Sequence, residues 1–331
     1  MRVPDADEIR IGVVGVGSLG FHHARILRDV PGVVMAGIHD ADAQRARQVA
    51  AELGVEDRGG LERLLDGSDA VVIAVPTSDH EAVARAALRR GVHVLVEKPM
   101  APTLEAADRI LAAAIEAGAR VQIGHVERFN AAVLAAEEHL EGPRFVESHR
   151  MAPFTPRSTD VAVVLDLMIH DVDLVLSLVG TPVREIAAAG VPVLTPNVDI
   201  ANARLAFEGG AVANLTASRV SFERMRKIRL FQPSGYLSLN LADGTGEFLR
   251  LRESLPSLGT AGVTDVADIV ERIPLRGQPV EPLRRELESF RDAVTGAAEP
   301  AVSGQAGRDA LAVTLSIEQR IETHVIDSRP A

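Results

Sequence analysis

Cysteine and tryptophan are absent from the 331-residue chain, there is a single tyrosine, and aromatic residues amount to 3%. Without thiols there can be no disulfides and no thiolate metal site, a composition compatible with a reducing compartment. The scarcity of aromatics leaves few platforms for stacking bases, which argues against RNA or single-stranded DNA as a ligand. The core must instead be filled by Ala, Val, Leu and Ile. No apolar run approaches the ~18–20 residues of a membrane span. The start, MRVPDADEIR, is charged and lacks the apolar segment of a signal peptide. A cytoplasmic location without membrane attachment is therefore expected. Positive charge is also in deficit: 35 Lys and Arg face 46 Asp and Glu, for a net charge of −11. Such a chain repels polyanions at long range, so any anionic ligand has to be captured locally.

What is present is the balance of a globular protein, 47% hydrophobic and 24% charged. The length exceeds the ~100–200 residues usual for one domain, and the texture changes near residue 126. The expected division is 1–125 and 126–331. In the first part, β-rich runs at 11–16, 33–38, 71–75, 93–96 and 120–123 alternate with helix-like stretches at 19–30, 43–53, 81–90 and 104–117. That rhythm implies an α/β fold with a parallel sheet covered on both faces, a Rossmann-type doubly wound domain. In the second part a helix at 130–140 and an apolar helix-like segment ending at 179 precede short alternating runs at 201–207, 211–218, 227–232 and 236–240. Punctuated by Gly and Pro, these read as an antiparallel sheet in an α+β domain. Helical spacing returns at 283–295 and 307–323, while 254–278 follows no clear period.

The run Gly15-Val16-Gly17-Ser18-Leu19-Gly20 sits directly after a β-run and directly before a helix. In that context GxGxxG is a dinucleotide-binding loop: Gly15 permits the tight turn, Gly17 lets backbone approach a pyrophosphate, and Gly20 lets helix and strand pack closely. Asp40 follows the second β-run, placed to accept hydrogen bonds from the adenosine ribose and to repel a 2′-phosphate. NAD is thereby favoured over NADP. Arg45 and Arg47 keep NADP open, and Asp40 or Asp42 could equally cap the helix starting near residue 43.

At the carboxyl end of the fourth β-run stand Glu97-Lys98-Pro99, at the edge where ligands bind in this fold class. An amine there can stabilise a developing alkoxide, with Glu97 orienting it and Pro99 fixing the backbone. In the second part, Asp166 and His170 are four residues apart in an apolar segment and share one helical face. A carboxylate beside an imidazole orients it and raises its basicity, as a general base for alcohol oxidation requires. With Asp173 they are polar groups whose burial without purpose would cost several kcal/mol.

Together, the glycine loop, Glu97-Lys98-Pro99 and Asp166-x-x-x-His170 resemble the Gfo/Idh/MocA family of NAD(P)-dependent sugar and inositol oxidoreductases, over essentially the whole chain. The resemblance implies Lys98, Asp166 and His170 as catalytic residues. It also implies that Val75-Pro76-Thr77 with His80 form the nicotinamide-side loop and that Glu97 and Lys98 touch the cofactor. A Rossmann domain followed by a domain with a large, open, mostly antiparallel sheet is implied too, and with it homo-oligomers, dimers or tetramers. More narrowly, Gly124-His125-Val126-Glu127-Arg128-Phe129-Asn130, His149-Arg150, residues 164–173 and Asp199-Ile200-Ala201-Asn202-Ala203-Arg204 resemble bacterial nucleotide-sugar 3-dehydrogenases. That likeness implies UDP-N-acetylglucosamine as substrate and a 3-keto sugar passed to an aminotransferase on the way to lipid A diamino sugars. An inositol or free-monosaccharide dehydrogenase of the same family, and a non-catalytic NAD- or sugar-binding regulator, are the competing readings.

A nucleotide sugar needs diphosphate contacts. Arg128, Arg150 and Arg157 are candidates for substrate binding with Asp166 and His170, and a basic stretch (Arg219, Arg224, Arg226, Lys227, Arg229) offers either phosphate contacts or a solvated strand face. His22 and His23 follow the glycine loop, but no carboxylate stands at ligand spacing from them, so no metal site is expected.

Overall fold

The computed structural model describes residues 8–155, 161–252 and 269–327. The chain divides into two units, Met1–Val126 with Val280–Leu311, and Glu127–Pro279 with Ala312–Ala331. The expected split near 125/126 therefore misses one feature, the return of 280–311 to the first unit. The reason is apolar: Leu287 and Phe290 are fully buried in the same cluster as Ile11, Val13, Leu27 and Leu95.

In the first unit the strands β1 (Ile9–Val14), β2 (Val33–His39), β3 (Ala70–Ile73), β4 (His93–Glu97) and β5 (Val121–Gly124) form a parallel sheet in the order β2-β1-β3-β4-β5. Its strands are almost wholly apolar and buried, as a sheet covered on both faces requires. The covering helices include α1 (Ser18–Leu27), α2 (Ala43–Leu53), α3 (Leu61–Asp66), α4 (His80–Leu88), α5 (Leu104–Ala117) and, from the returning segment, α8 (Pro282–Thr295). Local sequence sets the helix starts: Asp42 accepts the Gln44 and Arg45 N–H groups, and Thr103 accepts that of Ala106. Strand order reverses between β1 and β3, so the loops after these two strands open the crevice in which this fold class binds ligands.

The second unit is built on an eight-stranded sheet ordered β13-β12-β11-β10-β6-β9-β8-β7. Its strands are β6 (Phe145–Met151), β7 (Val183–Val191), β8 (Ile200–Phe207), β9 (Val212–Ser218), β10 (Met225–Gln232), β11 (Gly235–Asn240), β12 (Thr245–Leu251) and β13 (Val270–Arg276). Every pairing is antiparallel except β6 with β9. One face packs its alternate residues against α6 (Ala131–Ala136), α7 (Ile169–Val179) and the Ile317 and Ile321 positions of α9 (Gly304–Asp327). The other face presents cross-strand rows, one running Asn202, Thr216, His149, Lys227, Asn240, Thr245, Arg276 and another including Phe145, Phe231 and Tyr236. Of the stretch at 254–278, residues 270–276 form β13, and 254–268 lie outside the described residues.

Candidate active site

Three backbone features make the glycine loop a cradle. Gly15 has φ +82°, and a Cβ there would stand 2.7 Å from the Ala74 carbonyl oxygen. At Gly20 a Cβ would collide with the Gly15 oxygen at 1.8 Å, whereas at Gly17 it would meet nothing within 4 Å among the described residues. The first and third glycines thus serve the protein, and the second leaves space beside the first turn of α1. Among the described residues no side chain caps that turn, so its N–H groups remain available to an anion. Asp40, directly after β2, accepts the Val16 N–H at 2.7 Å and the Asp42 N–H at 2.9 Å. Its carboxylate is thereby fixed beside the loop with lone pairs left for a ribose diol. Since Asp42 is the cap of α2, Asp40 is not consumed by capping. Arg45 donates Nε–H to the Val16 carbonyl at 2.9 Å and lies 5.9 Å from the Phe21 ring centroid, so it too braces the loop.

After β3, Val75-Pro76-Thr77 leads into α4, whose buried His80 sits with Nε2 3.0 Å from the Val75 carbonyl and Nδ1 3.0 Å from the Pro99 carbonyl. Burial holds this imidazole below its ordinary pKa, against the pull of those carbonyls. One ring thus ties the loop after β3 to the loop after β4. Glu97 ends β4 almost fully buried, accepting the Lys98 N–H at 3.2 Å and approaching His23 Nε2 at 2.6 Å. Burial alone would raise its pKa, but the His23 hydrogen bond and the charges of His23 and Lys98 bring it below the usual carboxylate range.

In the second unit Asp166 lies in a π-helical turn, Val164–Met168, that runs directly into α7, whose second residue is His170. Single π turns inside helices are frequent at functional sites. Both side chains are partly exposed, while the flanking Asp171 and Asp173 are buried. Those two carboxylates are held by arginines from outside the helix. Arg150 of β6 bonds Asp171 through Nε and Nη2 at 2.9 and 3.0 Å, and Arg128 bonds Asp173 at 2.6 and 2.8 Å. The helix bearing the Asp/His pair is pinned by two forked ion pairs.

Two family models match, an oxidoreductase family with an NAD-binding Rossmann fold over residues 9–125 and the Gfo/Idh/MocA C-terminal domain over residues 112–237. UDP-N-acetylglucosamine 3-dehydrogenase from Acidithiobacillus ferrooxidans is 38% identical over 317 residues, which is 95% of this chain and 97% of that protein. The chain belongs to the Gfo/Idh/MocA family. A solved structure of that Acidithiobacillus ferrooxidans enzyme, GnnA, superposes with a TM-score of 0.87 at 35% identity, covering 96% of this chain and 98% of the other. The scyllo-inositol 2-dehydrogenase (NAD(+)) of Bacillus subtilis is 30% identical over 233 residues, 65% of this chain and 68% of its own.

As a Gfo/Idh/MocA protein the chain is an NAD-dependent oxidoreductase with a Rossmann domain, and the cradle at Gly15, Gly17 and Gly20 with Asp40 suits a dinucleotide. Gly17 and Gly20 should separate experimentally. Gly17→Ala keeps the melting temperature of the cofactor-free protein and weakens NAD binding, measured by calorimetry. Gly20→Ala lowers the melting temperature as well, because its Cβ has to displace backbone.

Not every expected site residue of this Gfo/Idh/MocA chain is free to meet a substrate. Arg150 is 3% exposed, and besides Asp171 it bonds Glu127 at 2.8 Å. Burial disfavours its charge, but Asp171 and Glu127 more than compensate and raise its pKa above the usual value. Arg128 likewise spends its fork on Asp173, with a further bond to Ser177. Both are corrected from substrate ligands to struts of the α7 helix: Arg150 because a charge buried this deeply needs partners within the protein, and Arg128, which keeps 18% side-chain exposure, because its fork is taken by the buried Asp173. Arg157 lies outside the described residues. The basic stretch is no single patch: Arg219 is buried, donating to the Val161 carbonyl, and along β10 successive residues alternate between faces. Arg226 shares the row of Arg150 and keeps a side-chain exposure of 44%, with Glu127 at 3.7 Å.

The sequence also gave no sign of Glu286. It is fully buried, and a nitrogen of His23 and one oxygen each of Glu97 and Glu286 lie within 4.8 Å of one another. The carboxylates missing around His23 in sequence arrive from β4 and α8.

Proposed function

We propose that the protein oxidises the C3 hydroxyl of UDP-N-acetylglucosamine to a ketone, with NAD as the hydride acceptor. The likeness to a UDP-N-acetylglucosamine 3-dehydrogenase over nearly the full length of both chains carries this reading. NAD, when bound, supplies the carbon that takes the hydride. His170 takes the hydroxyl proton, Asp166 orients and polarises the imidazole, and Lys98 stabilises the oxygen as negative charge grows on it. Arg226 is the guanidinium offered to the diphosphate, in place of Arg128 and Arg150. The loop residues Ser18, Leu19, Val75, Pro76 and Thr77, with His80 behind them, position the cofactor.

The sheet face carrying Phe145, Phe231 and Tyr236, with ring centroids 5.8 and 5.2 Å apart, meets a second copy of this chain, which sedimentation at micromolar concentration reads directly. For the reaction, absorbance at 340 nm is followed with NAD and UDP-N-acetylglucosamine in the presence of a ketone trap. NADH forms from the nucleotide sugar far faster than from myo-inositol. Turnover of inositol with silence on the nucleotide sugar would keep the family and overturn the substrate.

A further inference from the structure

His23 has so far appeared only as a neighbour of Glu97. It is carried on α1, just past the glycine loop, and is 1% exposed. A histidine at that depth is costly unless its polar atoms are used. Its Nε2 lies 2.6 Å from Glu97 Oε1, and its Nδ1 has no hydrogen-bond partner among the described residues. Glu286 brings a second buried carboxylate to the same place, and the Glu286 backbone carbonyl accepts Gln122 Nε2–H at 3.1 Å, which ties α8 to β5. A Cβ at Gly124, opposite Glu97 on β5, would stand 3.0 Å from the Glu97 Cδ and Oε2. The neighbouring strand has thus been cleared for this carboxylate. Three elements distant in sequence converge on the single side chain that precedes Lys98.

We propose that His23, backed by Glu286, is a positioning residue that keeps the Glu97 carboxylate in place as the counter-ion of the Lys98 ammonium. The inference rests on the assignment of Lys98 as the alkoxide-stabilising group. Without the short His23 contact the buried Glu97 carboxylate would keep only the Lys98 backbone N–H at 3.2 Å and take up a proton more readily, and a neutral Glu97 could no longer favour a charged Lys98. Among the described residues, the charged and titratable groups around Glu97 include His23 from α1, Glu286 from α8, Lys98 itself, and His80 of α4, whose ring feels the Glu97 charge. Together they place two carboxylates among three potential cations.

The chain is unusually suited to a direct test, because Lys98 and Lys227 are its only two lysines. Protein labelled with [ε-13C]lysine gives two side-chain resonances, with the exposed Lys227 as internal reference, and the cofactor-free protein is titrated. In Glu97→Gln the Lys98 pKa falls by about one to three pH units relative to wild type. His23→Leu reproduces that fall, His23→Gln restores most of the wild-type value because its amide still donates, and His23→Leu added to Glu97→Gln changes nothing further. If His23→Leu does not fold, Glu97→Gln and His23→Gln decide alone. A Lys98 pKa unmoved by Glu97→Gln overturns the proposal. So does a fall in His23→Gln as large as in Glu97→Gln, or restoration of activity by an added divalent cation after chelation, which would make the cluster a metal site. None of the titrations involves substrate, so a failed substrate assignment leaves them readable.

Discussion

His170→Ala lowers kcat by about 10²–10⁴-fold, the usual worth of a positioned general base, while the Kd for NAD stays near the wild-type value. The reason is the division of labour along the chain. The groups proposed to cradle the cofactor, Gly15, Gly17, Gly20 and Asp40, belong to the first unit, whereas the proposed Asp166 and His170 pair belongs to the second. On the proposed roles, losing His170 removes a transition-state interaction and leaves the glycine-loop cradle intact. Lys98→Met has a comparable effect on kcat, through loss of the charge that stabilises the alkoxide. Its structural cost is small, since Lys98 is partly exposed and its backbone N–H still reaches Glu97. Stopped-flow and steady-state kinetics beside NAD calorimetry separate these effects. Wild-type kcat in either variant would remove that residue from the mechanism.

Arg150→Met unfolds the second unit more easily by about 3–5 kcal/mol, the cost of removing one partner from a buried ion pair. Arg150 makes three hydrogen bonds to Asp171 and Glu127 at 2.8 to 3.0 Å, and all three residues are buried. Methionine would fill much of the space and leave the Asp171 carboxylate without its forked partner, while Glu127 keeps the Asn130 amide at 3.1 Å and Arg226 at 3.7 Å. Denaturant melts at pH 7 read the loss. An Arg150 that bound the diphosphate would behave differently, with unchanged melts and a raised KM for the nucleotide sugar.

The arginines show what the sequence could and could not deliver. Patterns of short range were legible: the periods of strands and helices in the first unit, the glycine loop, and the Asp/His spacing that places two polar groups within one turn. Partnerships between distant residues were not. Arg128 and Arg150 read as free cations because Asp173 and Asp171 lie 45 and 21 positions away, and nothing in a linear pattern assigns one to the other. For the same reason the 280–311 segment read as part of the second domain, although the apolar stripe on α8 matches the first unit's core. Glu286 was invisible because an isolated glutamate on an amphipathic helix is ordinarily solvent-facing. The parallel β6–β9 pair was equally unannounced, since alternation specifies a half-buried strand but not its neighbour.

The central claim is that hydride leaves C3 of the sugar, and isotopic labelling reads this most directly. UDP-N-acetylglucosamine carrying deuterium at C3 is turned over with NAD and a ketone trap, and the NADH is analysed by mass spectrometry. The account predicts NADH heavier by about one mass unit, and a slower chemical step with the labelled sugar. Unlabelled NADH from this substrate would place the oxidation at another carbon and contradict the account.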